Sequence, residues 1–482
     1  MNTRASVVVV GGGIAGLAAA WELTGGAQGP HATTPRVELL ESSHRLGGAL
    51  LSEEFAGRVI DFGPDGFLAR RPEAVTLARE LGLGDKLRAI AASGASIWLR
   101  GELENLPEGL ILGVPSQAKT LKCLRGLTWN SRWFAWRDEH VPRKLKVVED
   151  VSIGSILRAK LGRELTYQLI EPMVGGIQAG RVDQLSAAAV FPALFEAAQH
   201  GGSLMKALRA SGVAPAGGSS ERVTGPLFMS LTGGVGSLVH ELESQLNERG
   251  VVLRTSTRVT ALRATPSGLY PWEVDTADTS TSASAVILAT PAPVAATLAS
   301  NVNASLSELT SITSASAAMV TFVFSTSDTQ LPSTGTGVLI PLATPWNSDL
   351  MMTTAITFLD RKWIHLQREG EVLLRAHVGR SDDRRSEVLG DDSLIDRVLR
   401  EITTILGRVG TPIATRVQRW PHGLPQYYVG HQEVVARARH VLTPLTLRLA
   451  GNAYDGVGIP ASIGSGRRAA EEVRALLGAG II

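Results

Sequence analysis

The sequence predicts a mixed α/β and α+β protein whose organising unit is a split, Rossmann-type dinucleotide-binding domain, accompanied by an α+β domain and a helical insertion. Three observations predict it. The chain opens with a β-branched run, Ser6-Val7-Val8-Val9-Val10, then a glycine turn, Gly11-Gly12-Gly13-Ile14-Ala15-Gly16, then a helix-forming stretch from Leu17 to Leu23. A second strand, Arg36 to Leu40, ends on the acid Glu41. Near the other end, Leu447-Arg448-Leu449-Ala450 runs into a second glycine-rich turn, Gly451 to Pro460, and a helix from about Ala461 to Leu477.

A strand covered on both faces reads as a continuous apolar run, and a glycine turn feeding a helix aims backbone N–H groups at a pyrophosphate. An acid closing the second strand is placed to bond ribose hydroxyls. Glu41 stands 25 residues past Gly16, beyond the usual spacing, because a polar insert from Gly25 to Pro35 lengthens the helix-to-strand loop. Directly after it, in Ser42-Ser43-His44-Arg45-Leu46-Gly47-Gly48, Arg45 can reach the pyrophosphate while Gly47 and Gly48 let the backbone pass close. That combination points to FAD rather than NAD. Gly57 to Phe67 then reads as a short strand entering a turn at Gly63, Pro64 and Asp65, positioned to run beside the isoalloxazine.

At 482 residues the chain calls for two or three structural units, and 44% hydrophobic against 19% charged residues describes an ordered globular protein. A net charge of +2 gives no mandate for nucleic acid. The single cysteine, Cys123, cannot form an intramolecular disulfide or a thiolate metal cluster and reads as a small apolar residue. The first strand begins too early for a signal peptide, and no apolar run is long enough to span a bilayer, so a soluble, cytoplasmic protein is expected, compatible with peripheral membrane contact.

In chain order, residues 1–85 form the first part of the nucleotide domain, 86–215 a largely helical insertion, 216–294 a second nucleotide-domain part, 295–410 an α+β substrate domain, and 411–482 a third nucleotide-domain part. Helical periodicity runs from Pro72 to Leu81. Between Ser116 and Glu139, Lys119, Lys122, Arg125, Arg132 and Arg137 interleave with Trp129, Trp133, Phe134 and Trp136. That pattern suits either an anionic lipid or substrate, or a helix with an aromatic core face and solvated cations. The turn Thr232-Gly233-Gly234-Val235-Gly236 precedes a helix reaching about Asn247, with strands at Val251 to Leu253, Tyr270 to Val274 and Ala285 to Ala289 suggesting a return to the nucleotide domain, and Thr257 to Val259 lining the adenine side. Further strands read at Ala318 to Phe324, Gly337 to Pro341 and Val372 to Val378.

Together these residues resemble the porphyrinogen oxidases of haem synthesis, within the FAD superfamily that includes amine oxidases and phytoene desaturases. The likeness spans nearly the whole chain: GGGIAGL, ESSHRLGG and DFGPDGFLARR near the start, LIEPMVGGIQAGRVDQLSAAAVFP in the middle, RWPHGLPQYYVGH and GNAYDGVGIP near the end. The last three stretches are specific to this family. Leu106 to Pro115 and Gly370 to Gly379 are more similar to the soluble Gram-positive coproporphyrinogen III oxidases than to the membrane-bound protoporphyrinogen oxidases.

The resemblance implies a glutathione reductase/amine oxidase-like fold, FAD as cofactor, and oxidation of coproporphyrinogen III to coproporphyrin III. Six electrons leave in three hydride transfers to flavin N5, and dioxygen becomes hydrogen peroxide. Pyrrole lone pairs assist each departure, so positioning matters more than a strong protein base. The flavin contacts it implies are Gly11, Gly12, Gly13, Ile14, Ala15, Gly16, Glu41, Ser42, Arg45, Gly48, Gly63, Pro64, Asp65, Val259, Trp420, Gly451 and Val457. Arg71 is the implied propionate cation, Gly175 and Gly176 the pocket wall, and no metal is expected. The implied partners are a tetrapyrrole, dioxygen and, transiently, other haem-synthesis enzymes. The chain departs from many relatives at Arg181, where an acid is usual, and at Ala461-Ser462, where Asp-Cys is usual. The alternatives are a protoporphyrinogen IX oxidase, an amine oxidase, or a flavin-bearing tetrapyrrole carrier without turnover.

Overall fold

The computed structural model describes residues 4–92, 94–143, 145, 147–211, 226–265 and 268–478. Contacts divide the chain into two compact units: Met1–Ala89 with Pro226–Thr313 and Gln432–Ile482, and Ile90–Gly225 with Ser314–His431.

The first unit is built on a five-stranded parallel sheet, in the order Val252–Arg254, Arg36–Leu40, Ser6–Val10, Ala285–Leu288 and Leu447–Leu449. Both faces of the central strand are covered, which explains its unbroken valines. Val7 and Val9 pack in a cluster with helices Ile14–Leu23, Ser237–Glu248 and Ile459–Gly478. Val8 and Val10 pack in another, with helix Ala292–Ala299 and an antiparallel sheet of Val259–Ala264, Trp272–Thr276 and Ser280–Ala283. All four valines are 5% exposed or less, and burying each stabilises the strand by roughly 1.5–3 kcal/mol. Helices Ile14–Leu23 and Ile459–Gly478 meet through small residues: a methyl at Gly466 would sit 2.0 Å from the Ala15 carbonyl oxygen. The strand expected from Tyr270 to Val274 runs from Trp272 to Thr276 and lies in the first unit, in its antiparallel sheet.

The second unit carries a seven-stranded sheet, in the order Ala414–Pro425, Ser314–Ser325, Glu371–Val378, Thr353–Phe358, Gly337–Leu339, Ser96–Leu99 and Glu102–Asn105. Helix Asp391–Leu406 packs against it through Leu394, Val398, Ile402 and Ile405, one apolar stripe at helical spacing. A separate helical cluster includes Trp129–His140, Ile153–Glu164, a π-helical turn Leu165–Ile170, and Glu171–Gln178.

The observed division differs from the expected boundaries for definite reasons. Residues 411–431 leave the nucleotide domain because Ala414–Pro425 pairs with Ser314–Ser325. The expected insertion from Ile90 onward and the expected substrate domain from Ser314 onward share a unit because Ser96–Leu99 pairs in parallel with Gly337–Leu339. Residues 295–313 stay with the first unit because Leu306, Leu309 and Ile312 pack in the Val8/Val10 cluster. The expected boundary at 215–216 lies outside the described residues. Cys123 is exposed. On helix Trp129–His140 the buried positions are Ser131, Ala135 and Asp138, so its indoles do not form a core face.

Candidate functional site

The glycines of the first turn do three different jobs. Gly11 has φ +109°, and a side chain there would meet the Ala289 carbonyl oxygen at 2.5 Å, so the tight turn requires it. A methyl at Gly16 would sit 1.9 Å from the Gly11 carbonyl oxygen; its absence lets the helix start against the strand. Gly13, with φ −69° and ψ 174°, is under neither constraint: a methyl there would find no atom within 4 Å. Packing does not explain that glycine. An open space above the first turn of helix Ile14–Leu23 is what close approach by a pyrophosphate needs, and Ile14 and Ala15 open that helix as buried residues.

Glu41 is held beside this turn. Its Oε2 accepts from the Gly12 N–H and its Oε1 from the Ser43 N–H, both at 2.7 Å, while Ser42 Oγ donates to Oε1 at 3.3 Å. The Glu41 carbonyl accepts from Thr257 N–H at 2.8 Å, which sets the entry to the Val259 strand alongside. The following loop docks on the first: Gly47 N–H donates to the Gly12 carbonyl at 2.8 Å, and a methyl at Gly48 would lie 3.3 Å from Gly13 Cα. Arg45, expected at the pyrophosphate, donates to the carbonyls of Leu46, Gly48 and Leu50. It therefore pins the loop that passes over Gly13, and burial lowers the pKa of its guanidinium.

The second glycine turn is stapled by a residue that sequence reasoning passed over. Asp455 accepts from Arg468 at 2.5 and 2.7 Å, from Arg439 at 2.6 Å and from Ser465 Oγ, which itself accepts from Gly451 N–H at 2.9 Å. The turn is thus tied to the first half of helix Ile459–Gly478. Burial alone would raise the Asp455 carboxyl, but hydrogen bonds from Arg468, Ser465 and Arg439 outweigh it and hold its pKa at about 2. The folded state therefore gains stability that is complete above the ordinary value of 3.8 and is lost as pH falls toward 2. Asp455→Asn is expected to cost about 1–2 kcal/mol at neutral pH, allowing for partial exposure, with the difference from wild type closing across that acid window. Urea unfolding of both proteins across pH checks it. Tyr454 beside it is buried, its phenol pKa pushed up by desolvation, with no hydrogen-bond partner for its hydroxyl among the described residues.

A similar clasp serves the turn before helix Ser237–Glu248. Asp61 Oδ1 accepts from Val235 N–H at 2.9 Å and from Ser52 Oγ, and Ser52 Oγ accepts from Gly236 N–H at 2.8 Å. Asp61 leads into Gly63, Pro64 and Asp65, of which Gly63 is buried. Two glycine turns at helix starts, an oriented carboxylate and an unfilled space over Gly13 fit a dinucleotide. A family model described as flavin containing amine oxidoreductase matches residues 14–474. The chain belongs to this family.

The relatives extend the likeness along the whole length. A coproporphyrinogen III oxidase of Bacillus subtilis (strain 168) is 32% identical over 97% of both chains. A protoporphyrinogen oxidase of Homo sapiens is 30% identical, covering 97% of this chain and 98% of its own. A crystal structure from Exiguobacterium sp. 255-15 superposes with a TM-score of 0.84 at 33% identity, covering 98% of this chain and 99% of that one. The fold is that of the flavin-dependent amine oxidoreductases, the cofactor is FAD, and the protein is an oxidoreductase.

Within this family fold the remaining residues fall in separate places. Arg71, in the first unit, precedes helix Pro72–Glu80, is half-exposed, and stands over the second glycine turn: a methyl at Gly456 would lie 3.6 Å from its Nη1. Val457 is in that turn. Gly175, Gly176 and Trp420 belong to the second unit, the glycines on helix Glu171–Gln178 and Trp420 in strand Ala414–Pro425. Gly176 is exposed, and a methyl there would meet nothing within 4 Å, whereas one at Gly175 would press on the Gly180 carbonyl at 3.1 Å. Arg181 donates to buried Glu171 at 2.8 Å and to Asp382 at 2.9 Å, tying the end of the glycine-bearing helix to the segment after strand Glu371–Val378. Burial raises the Glu171 carboxyl, with Arg181 pulling it back.

The second unit also contains a cleft of about 890 Å³ walled by Trp98, Tyr167 and Trp346. Arg163 lies over the Tyr167 ring at 5.5 Å, and Arg100 pairs with Glu164 at 3.1 Å. Neither Gly175 nor Gly176 lines it. Its walls come from separate segments of the chain, and no local pattern announces it. Among the described residues no group of His, Cys, Asp and Glu could hold a metal ion.

Proposed function

We propose that the chain is an FAD-dependent coproporphyrinogen III oxidase of haem biosynthesis. The observation that carries this reading is the near full-length similarity to the Bacillus subtilis enzyme together with a cradle that fits FAD. Bound FAD supplies a two-electron acceptor at N5, and a porphyrinogen, which loses six electrons on aromatising, passes through three such oxidations with dioxygen as final acceptor.

The chain's own part is to bind and orient. Gly13 and the helix N-terminus behind it take the pyrophosphate; Glu41 takes the ribose hydroxyls; Val259 flanks the adenine. Arg45 fixes the loop over Gly13, and with Gly48 it closes that side of the cradle. The N-terminus of helix Ile459–Gly478, reached through Gly451 and Val457, offers positive potential to the N1–C2=O edge of the ring, and the Asp455 staple keeps it in place. Gly63, Pro64 and Asp65 would hold the isoalloxazine side of the cofactor. Arg71 takes a propionate. A strong base is unnecessary, since pyrrole nitrogen lone pairs assist bond breaking at the methylene bridges. No helix among the described residues is long and apolar enough to cross a membrane. Our reading places the enzyme in the cytoplasm, with any membrane contact peripheral.

Protoporphyrinogen IX is the second reading, favoured by the likeness to the human enzyme. Anaerobic mixing with each porphyrinogen separates the two. Coproporphyrinogen III is expected to bleach the flavin faster, and admitted air to yield peroxide and porphyrin fluorescence. Comparable rates with both substrates would remove the preference; bleaching by neither would overturn the oxidase reading, and binding without bleaching would favour a carrier.

A further inference from the structure

The cleft of about 890 Å³ in the second unit shares no residue with the cofactor cradle or with Arg71, Gly175 and Gly176. Its size is that of pockets that enclose a whole organic ligand. Two hairpin turns and one helical turn help to wall it. Strand Ser96–Leu99 turns through Arg100 and Gly101 into Glu102–Asn105, and Pro345–Trp346 turns through Asn347 into Asp349–Leu350. The π-helical turn Leu165–Ile170 supplies Tyr167 and Gln168, and turns of this kind occur frequently at functional sites.

The rings of this cleft are fixed by their polar ends. The Tyr167 hydroxyl accepts from Arg158 at 2.9 Å and donates to Asp183 at 2.8 Å. Trp346 Nε1 donates to Thr404 Oγ1 at 3.4 Å, and Arg397, held by Glu401 at 2.6 Å, lies 3.9 Å over the indole. Trp98 and Trp346 both pack on the core of the seven-stranded sheet while lining the cleft. Aromatic surfaces held in this way lose little freedom when a flat ligand stacks on them. Charge sits beside the rings: Arg100 and Arg163 are exposed, and Glu164 is the one acid among the described lining residues. Glu164 is already engaged, accepting from the Thr128 and Ser131 hydroxyls and pairing with Arg100 at 3.1 Å. Arg163 makes no ion pair among the described residues and lies 5.5 Å over the Tyr167 ring. A guanidinium next to a fixed ring suits the carboxylate of a stacked, conjugated molecule.

We infer that the cleft binds a planar, conjugated carboxylate, and that this ligand is the oxidised porphyrin and not the porphyrinogen. An aromatised macrocycle is flat and stacks on a ring; a porphyrinogen is bent at its four saturated methylene bridges and cannot lie flush. The porphyrin as ligand rests on the oxidase reading, whereas the planar anion rests on the cleft alone. Bound there, product stays on the chain without occupying Arg71, the residue proposed to hold the substrate.

The test uses the full flavin-bearing chain labelled with fluorotryptophan, the fluorine resonances of Trp98 and Trp346 being identified through Trp98→Phe and Trp346→Phe. Coproporphyrin III is expected to shift both resonances by its ring current, and coproporphyrinogen III, added without air, to leave them in place. Arg163→Glu, a change at an exposed residue, is expected to weaken the coproporphyrin effect about tenfold or more while flavin bleaching by coproporphyrinogen III stays as in wild type. The inference is overturned if saturating coproporphyrin III moves neither resonance, if Arg163→Glu titrates as wild type does, or if the porphyrinogen shifts the two indoles equally. Bleaching is read in the same samples: its absence counts against the oxidase reading, while the cleft stands or falls on the two indole resonances.

Discussion

Glu41→Ala is expected to strip the protein of FAD. The carboxylate is oriented by Gly12 N–H on one oxygen and Ser43 N–H on the other, each at 2.7 Å. Hydrogen bonds to a charged acceptor contribute roughly 1.5–3 kcal/mol each, so losing one or two ribose contacts weakens FAD binding by about tenfold to more than ten-thousandfold. Two effects add: the hydroxyls lose their acceptor, and the turn and the Ser42–Ser43 segment lose the group that positions them. Glu41→Gln keeps the shape without the charge and is expected to fall between wild type and alanine. Flavin retained after dialysis, and a reconstitution titration on the apoprotein, measure both. Full flavin occupancy in a correctly folded Glu41→Ala protein would remove Glu41 from the cradle.

Gly13→Ala and Gly16→Ala are expected to fail in opposite ways. At Gly13 the backbone is already one an alanine adopts and the methyl meets nothing, so the apoprotein gains about 0.4–1 kcal/mol from a less flexible unfolded chain. FAD binding falls nonetheless, by roughly tenfold or more, because the methyl occupies the space left for the pyrophosphate. At Gly16 the methyl collides with the Gly11 carbonyl oxygen, and forcing helix and strand apart costs about 1–3 kcal/mol before any ligand is considered. Unfolding of the two apoproteins together with their FAD dissociation constants checks the contrast. An unstable Gly13→Ala apoprotein would mean that this glycine serves packing after all, and unchanged FAD affinity would mean that the space over it does not receive the pyrophosphate.

Both strand–glycine turn–helix units were legible in local pattern: the valine run, the spacing of Gly11, Gly13 and Gly16, the acid closing the second strand, and a further strand, glycine turn and helix at the far end. Those features are legible because each is local: a pleated strand buried on both faces, a glycine-dependent turn and a helix start all reside within a few residues. What depends on distant pairing became visible only once the chain was folded. The Asp455 staple needs Arg439, Ser465 and Arg468 brought to one point, and the Asp61 clasp reaches Val235 across the intervening chain. Strand Ala414–Pro425 could be assigned to the seven-stranded sheet only once its partner was known, since one strand's pattern does not name its neighbour. The helix Trp129–His140 makes the same point on a smaller scale: its period places three tryptophans on one face, but only the packing of Ser131, Ala135 and Asp138 turns that face toward solvent. Periodicity fixes which side chains stand together, and the rest of the fold decides what they stand against.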